Sequence, residues 1–167
     1  MSAFKPARTL PEHEVRARLR DAQPSAAIFV HLAESSNPEA RAEVAAHPYL
    51  FIPGRHDIVH RLAHDPSAQV RGALAQNPHL TPAIAMQLAD DPDWHIRCMI
   101  AGRPDTSPAI LSRLARDRDV LVRVLVAEQR HRLPAEARAR LAHDPQPEVR
   151  EAVSVARLSR RAQPYQR

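Results

Sequence analysis

The chain has 167 residues, of which 44% are apolar but only 4% aromatic, with 3 glycines, 16 prolines and 1 cysteine. Its formal charge is +5, and arginine supplies 23 of its 24 basic side chains. Cys98 alone can form neither an internal disulfide nor a multi-cysteine metal centre, and no run of 18 apolar residues is available to span a membrane.

The N-terminus, MSAFKPARTLPEHEVRARLR, lacks the apolar core of a signal peptide, so a cytoplasmic location is expected. Residues 1–23 read as an N-terminal segment with a capping helix from about Pro11 to Gln23, where Glu12 and Glu14 suit the positive helix end. Residues 24–157 then repeat themselves. Leu-Ala recurs at Leu32, Leu62, Leu88, Leu114 and Leu141, in steps of 30, 26, 26 and 27 residues. Nine residues after each leucine stands Arg41, Arg71, Arg97, Arg123 or Arg150. Apolar residues flank the arginines (Val70, Ile96, Val122, Val149) and follow three positions later (Val44, Leu74, Ile100, Val126, Val153). Four residues before each leucine come Ile28, Ile58, Ile84, Ile110 and Ala137. Such spacings put apolar groups on one helical face.

Helix starts recur at the same period. Thr81-Pro82 and Ser107-Pro108 offer a cap followed by proline at the first helical position, and Asp65-Pro66, Asp91-Pro92 and Asp144-Pro145 are read the same way. Each unit of about 26 residues therefore holds two short helices, one roughly from Pro82 to Ala89 and the next from Pro92 to Ala101. Helices this short are unstable alone and must stack into a solenoid. The expected fold is all-α, with about five two-helix repeats. The arginine column and the aspartates six residues earlier (Asp65–Arg71, Asp91–Arg97, Asp117–Arg123, Asp144–Arg150) are expected to form a structural ladder within or between repeats.

Four features break the pattern. The step from Leu32 to Leu62 is four residues too long, which places an insertion at about Phe51–Gly54 in the apolar stretch Tyr49-Leu50-Phe51-Ile52. Insertions in repeats map to loops on one face, often the binding face. His56, His60 and His64 lie at i, i+4, i+8, but lack a fixed carboxylate partner, so no metal site is expected. Trp94, beside His95 and Cys98, occupies a column of small apolar residues and is a packing residue or a partner anchor. Lastly, arginines thicken toward the C-terminus. Residues 103–140 carry nine against five acids, and Arg113, Arg116, Arg118, Arg138 and Arg140 form a stripe if they face outward. Residues 158–167 read as a basic mobile tail.

The pattern L-A-x-D-P-x-x-x-V-R-x-x-x-A-x-N-P-x-x-[TS]-P, best seen at residues 62–82 and 88–108, resembles the leucine-rich repeat variant family and, more distantly, HEAT-type repeats. The resemblance implies a right-handed superhelix of paired short helices, the second of each pair part 3₁₀. Some relatives of this type carry an N-terminal cysteine cluster with an iron–sulfur centre. This chain lacks those cysteines, so no cofactor is carried over. No nucleophile–base pair, glycine-rich phosphate loop or complete metal-ligand set stands out in the sequence. The expected role is a non-enzymatic protein-interaction scaffold, its partner meeting Tyr49, Leu50, Phe51, Ile52, Trp94 and His95. The alternative is a nucleic-acid-binding accessory protein using Arg113, Arg116, Arg118, Arg138 and Arg140. A HEAT-like DNA glycosylase is a weaker third reading.

Overall fold

A computed structural model describes residues 11–20 and 24–154. Within them lie eleven α-helices and no strand. Helix α1 (Glu12–Leu19) precedes five pairs: α2 (Ala26–Ala33) with α3 (Pro38–Ala46), α4 (His56–Ala63) with α5 (Ala68–Ala75), α6 (Pro82–Leu88) with α7 (Trp94–Gly102), α8 (Pro108–Leu114) with α9 (Val120–Glu128), and α10 (Ala135–Ala142) with α11 (Pro147–Ser154). The capping helix is shorter than the expected Pro11–Gln23, residues 21–23 lying outside the described residues. The basic tail at 158–167 also lies outside them.

The second helices stack in sequence, α3 on α5, α5 on α7, α7 on α9 and α9 on α11, forming the densest layer of the molecule. All five are α-helices; the 3₁₀ geometry implied for them appears instead in the insertion, at Pro48–Phe51. The leucine column lines the core without a gap, since Leu32, Leu62, Leu88, Leu114 and Leu141 are buried. Val44, Leu74, Ile100 and Val126 lie against it from the second helices, completely buried. The core is thus one thin, continuous strip of small side chains, in which each unit borrows its burial from the next.

Capping follows the sequence only in part. Ser107 and Thr81 precede a first-position proline and accept from the Ile110 and Ile84 N–H groups. The Asp-Pro pairs behave otherwise. Helix α7 starts at Trp94, capped by Asp93, and α5 starts at Ala68 after Ser67. Asp65, Asp91, Asp117 and Asp144 each accept the N–H two residues on, closing the turn before the helix. Their remaining acceptor capacity is taken by an arginine of the preceding repeat.

That arginine forms one rung per junction. Nε and Nη2 of Arg41, Arg71, Arg97 and Arg123 donate to Oδ2 and Oδ1 of Asp65, Asp91, Asp117 and Asp144, at 2.6–2.8 Å and 2.9–3.1 Å. Nη1 turns back to its own repeat, donating to the carbonyls of Ser35, Asp65, Asp91 and Asp117 at 2.7–2.8 Å. These bonds form a ladder in which the partner carboxylate is that of the following repeat. Arg97 and Asp117 expose only 5% and 6% of their side chains.

Losing one half of such a buried pair strands the other, at a cost of about 3–5 kcal/mol. Arg97→Ala should lower stability by that amount, read by urea unfolding followed by circular dichroism. Burial alone would raise the carboxyls of Asp65 and Asp117, but the bonds from Arg41, Arg97 and backbone N–H groups hold both below the ordinary 3.8. The Arg123 bond likewise holds Asp144 down. Groups with depressed folded pKa bind fewer protons folded than unfolded, so their contribution is complete above the unfolded value and is lost as pH falls through the folded one. Urea midpoints should accordingly fall steeply below about pH 4, while the ladder contributes no change above about pH 5.

Candidate interaction surfaces

The insertion is an ordered structure pinned from two sides. His47 caps the 3₁₀ turn: its Nδ1 accepts the Tyr49 N–H at 3.2 Å, while its Nε2 donates to the Leu19 carbonyl at 2.9 Å. These two bonds define the neutral tautomer with the proton on Nε2. Gly54 turns the chain at φ +87°, where a side chain would be strained. Arg55 then runs inward, 6% exposed. Its guanidinium carbon lies 3.7 Å from the Phe29 ring centroid, and it donates to the Tyr49 and Pro24 carbonyls at 2.5 and 3.3 Å. Burial pushes this guanidinium below the ordinary arginine value.

The four apolar insertion residues separate. Leu50 is completely buried, so it anchors the loop and presents nothing to a partner, contrary to the sequence expectation. Phe51 is half-buried against the core. Tyr49 and Ile52 remain 42% and 41% exposed. Beside them a cavity of about 190 Å³ is lined by Leu50, Phe51, Ile52, Val59, Ala83 and Ile84, among others. Trp94 is half-buried at the start of α7, its ring 3.6 Å from that of exposed His95. Cys98 is half-buried, and burial pushes its thiol up to about 11, so it is not a thiolate near neutral pH.

Two arginines of the stripe are paired with acids, and two more are held by backbone carbonyls. Arg113 pairs with Asp90 at 2.5 Å and Arg116 with Glu136 at 3.0 Å. Arg118 donates to the Pro92 carbonyl and Arg138 to that of Leu133, both at 3.1 Å. Arg140 is exposed and has no such partner among the described residues. His60 and His64 lie with ring centroids 4.6 Å apart, but His64 also meets Gln87 Nε2 at 3.1 Å. Among the described residues no three potential metal ligands cluster. No helix there is long and apolar enough to cross a membrane.

A second ladder escaped the sequence reading. Asn77 Nδ2 donates to the Ala45 carbonyl at 2.8 Å and Arg103 Nη1 to that of Ala75 at 2.8 Å. Gln129 Nε2 does the same for Ala101, as His47 does for Leu19. Each side chain satisfies a carbonyl that the last turn of the preceding repeat's helix leaves open. All four stand fifteen residues after a Leu-Ala leucine, so the column was there to be found. Its chemistry hid it, because His, Asn, Arg and Gln share only the ability to donate.

Helix pairs stacked through two side-chain ladders define an α-solenoid of HEAT-like type. Residues 94–119 match the family model of the leucine rich repeat variant, a segment that holds both members of the Arg97–Asp117 rung. That segment thus matches the repeat that the sequence resembles. No curated protein and no solved structure matches it.

Burial lowers the His47 pKa below its usual 6.5, as does the nearby Arg55 charge, though the Leu19 bond partly opposes them. The folded form therefore binds fewer protons, and the stability His47 lends is complete above pH 6.5 and is lost as pH falls from there through its folded value. The hydrogen-exchange protection factor of the Tyr49 amide should drop between pH 7 and 5, while that of Ile100, deep in the core, stays constant.

Proposed function

We propose that the protein is a non-enzymatic protein-interaction scaffold whose partner seats on the insertion edge. The observation that carries this reading is the exposure of Tyr49 and Ile52 on a loop that His47 and Arg55 hold rigid, beside an apolar cavity. A pre-ordered apolar edge costs little conformational entropy on binding. Trp94 and His95 offer a further aromatic contact, since Trp commonly anchors interfaces. The same chemistry weakens the nucleic-acid alternative. Of Arg113, Arg116, Arg118, Arg138 and Arg140, the first two are paired with acids, which reduces the net charge this face offers to phosphates. The HEAT-like repeat supports a binding role in a general way, and the cytoplasm remains the expected place of action.

Ile52→Asp and Tyr49→Asp change exposed positions and should leave the helical signal intact. In a pull-down from the native cell, either should reduce partner recovery at least about tenfold, the loss of one apolar hot-spot contact. Recovery should change little between low and high salt. Salt-sensitive binding of DNA or RNA in a gel-shift titration, indifferent to Ile52→Asp, would favour the nucleic-acid reading instead.

A further inference from the structure

The outer face of the first helices carries a third set of cross-repeat contacts. It joins the residue two after each Leu-Ala leucine to the residue one before the next. At the first junction these are Glu34 and Arg61, paired at 2.8 Å. At the second, Gln87 Nε2 meets His64 at 3.1 Å. At the third, Asp90 and Arg113 pair at 2.5 Å. At the fourth, the same two positions hold Arg116 and Arg140. Two like charges stand where the other junctions hold complementary groups.

A cavity of about 530 Å³ opens at this point, lined by both arginines with Asp90, Arg113, Asp117 and Glu136. A groove of about 700 Å³ shares Arg116 and Arg140 and continues past His143 to Asp144. Every carboxylate along the two is already committed: Asp90 to Arg113, Asp117 to Arg97, Glu136 to Arg116 and Asp144 to Arg123. Arg140 is left as the surplus cation. Arg116 gives Glu136 one N–H through Nη2, which leaves further donors for another acceptor.

We propose that the junction between the fourth and fifth repeats binds one aspartate or glutamate side chain of a partner protein, held between Arg116 and Arg140. The ligand supplies the acid that the first and third junctions carry internally. Its protein origin rests on the scaffold reading above. The charge balance distinguishes it from nucleic acid: with its carboxylates paired, the lining has one surplus cation, which matches one carboxylate and not a run of phosphates. The open groove admits a side chain from an extended segment without rearrangement.

The test uses the full chain labelled with ¹⁵N-arginine and follows the Nε–Hε signals. The probes are a blocked Ala-Glu-Ala tripeptide, its Ala-Gln-Ala counterpart and a short oligothymidylate. The glutamate peptide should shift the Arg116 and Arg140 signals saturably, and the glutamine peptide should not. Arg140→Glu places the missing acid within the chain. It should weaken the peptide's effect on Arg116 at least about tenfold, with a melting temperature no lower than that of the native chain. Equal shifts with both peptides, no saturable shift at Arg116, or a lowered melting temperature in Arg140→Glu would overturn the proposal. So would oligothymidylate binding here more tightly than the glutamate peptide. Loss of partner recovery in Ile52→Asp is read independently, so failure of this site leaves the scaffold reading standing, and failure of that reading is seen apart from the peptide shifts.

Discussion

One guanidinium at each junction ties three turns of chain together. Its fork grips an aspartate of the next repeat, and its third nitrogen holds the carbonyl of its own turn. A core of Ala, Leu, Val and Ile supplies attraction but little direction, because small aliphatic groups pack acceptably in several registers. The planar, bidentate arginine–carboxylate contact has one good geometry, so it fixes the axial register of each repeat on the next. Burial makes that register costly to lose, since neither ion can be left alone. The turn-closing role of the aspartate follows from the same contact: its carboxylate faces the neighbouring arginine and its own backbone, and the helix cap passes to residues such as Asp93 and Asp119.

The ends of the array show the same constraint by how they depart from it. The first repeat has Ser35 and Asn37 at the turn, and Glu12 of α1 accepts hydrogen bonds from both, at 2.6 and 3.0 Å. Helix α1 thereby takes the place of a preceding repeat, helped by Arg16, which reaches Glu43 and Glu39 on α3. At the other end, Arg150 keeps the backward bonds to the Asp144 and Pro145 carbonyls at 2.7 and 2.9 Å. Its outward neighbours Glu148 and Glu151 are exposed and charged where α9 has Leu121 and Val124.

Both proposed recognition surfaces lie where the repetition fails. The ladders commit the charges at the rung positions of each junction to internal register, so a repeat that obeys the pattern has few of them left for a partner. The insertion between the first two repeats exposes two bulky apolar side chains on a braced loop. The fourth junction leaves an arginine uncompensated beside a cavity. One is apolar and the other cationic, a combination that fits a partner segment better than a uniform polyelectrolyte.

Period and residue type were enough, from the sequence alone, to place five helix pairs, a leucine-lined core and columns of arginine and aspartate, because a helix buries whatever recurs on one of its faces and a stacked repeat places equivalent residues in line. The insertion was equally legible, as a step of 30 residues among steps of 26 and 27. Which residues meet across a junction was decided only by the tertiary structure. The offset between neighbouring repeats sends Arg71 to Asp91 and not to the Asp65 carboxylate, brings Asn77 and Arg103 onto open helix carbonyls, and turns Leu50 inward while Tyr49 and Ile52 stay out. That same offset neutralises Arg113 and Arg116 yet leaves Arg140 alone. Sequence spacing sets the columns; the distance between columns is set by how the helices pack, and a charge is spent or spare according to that distance.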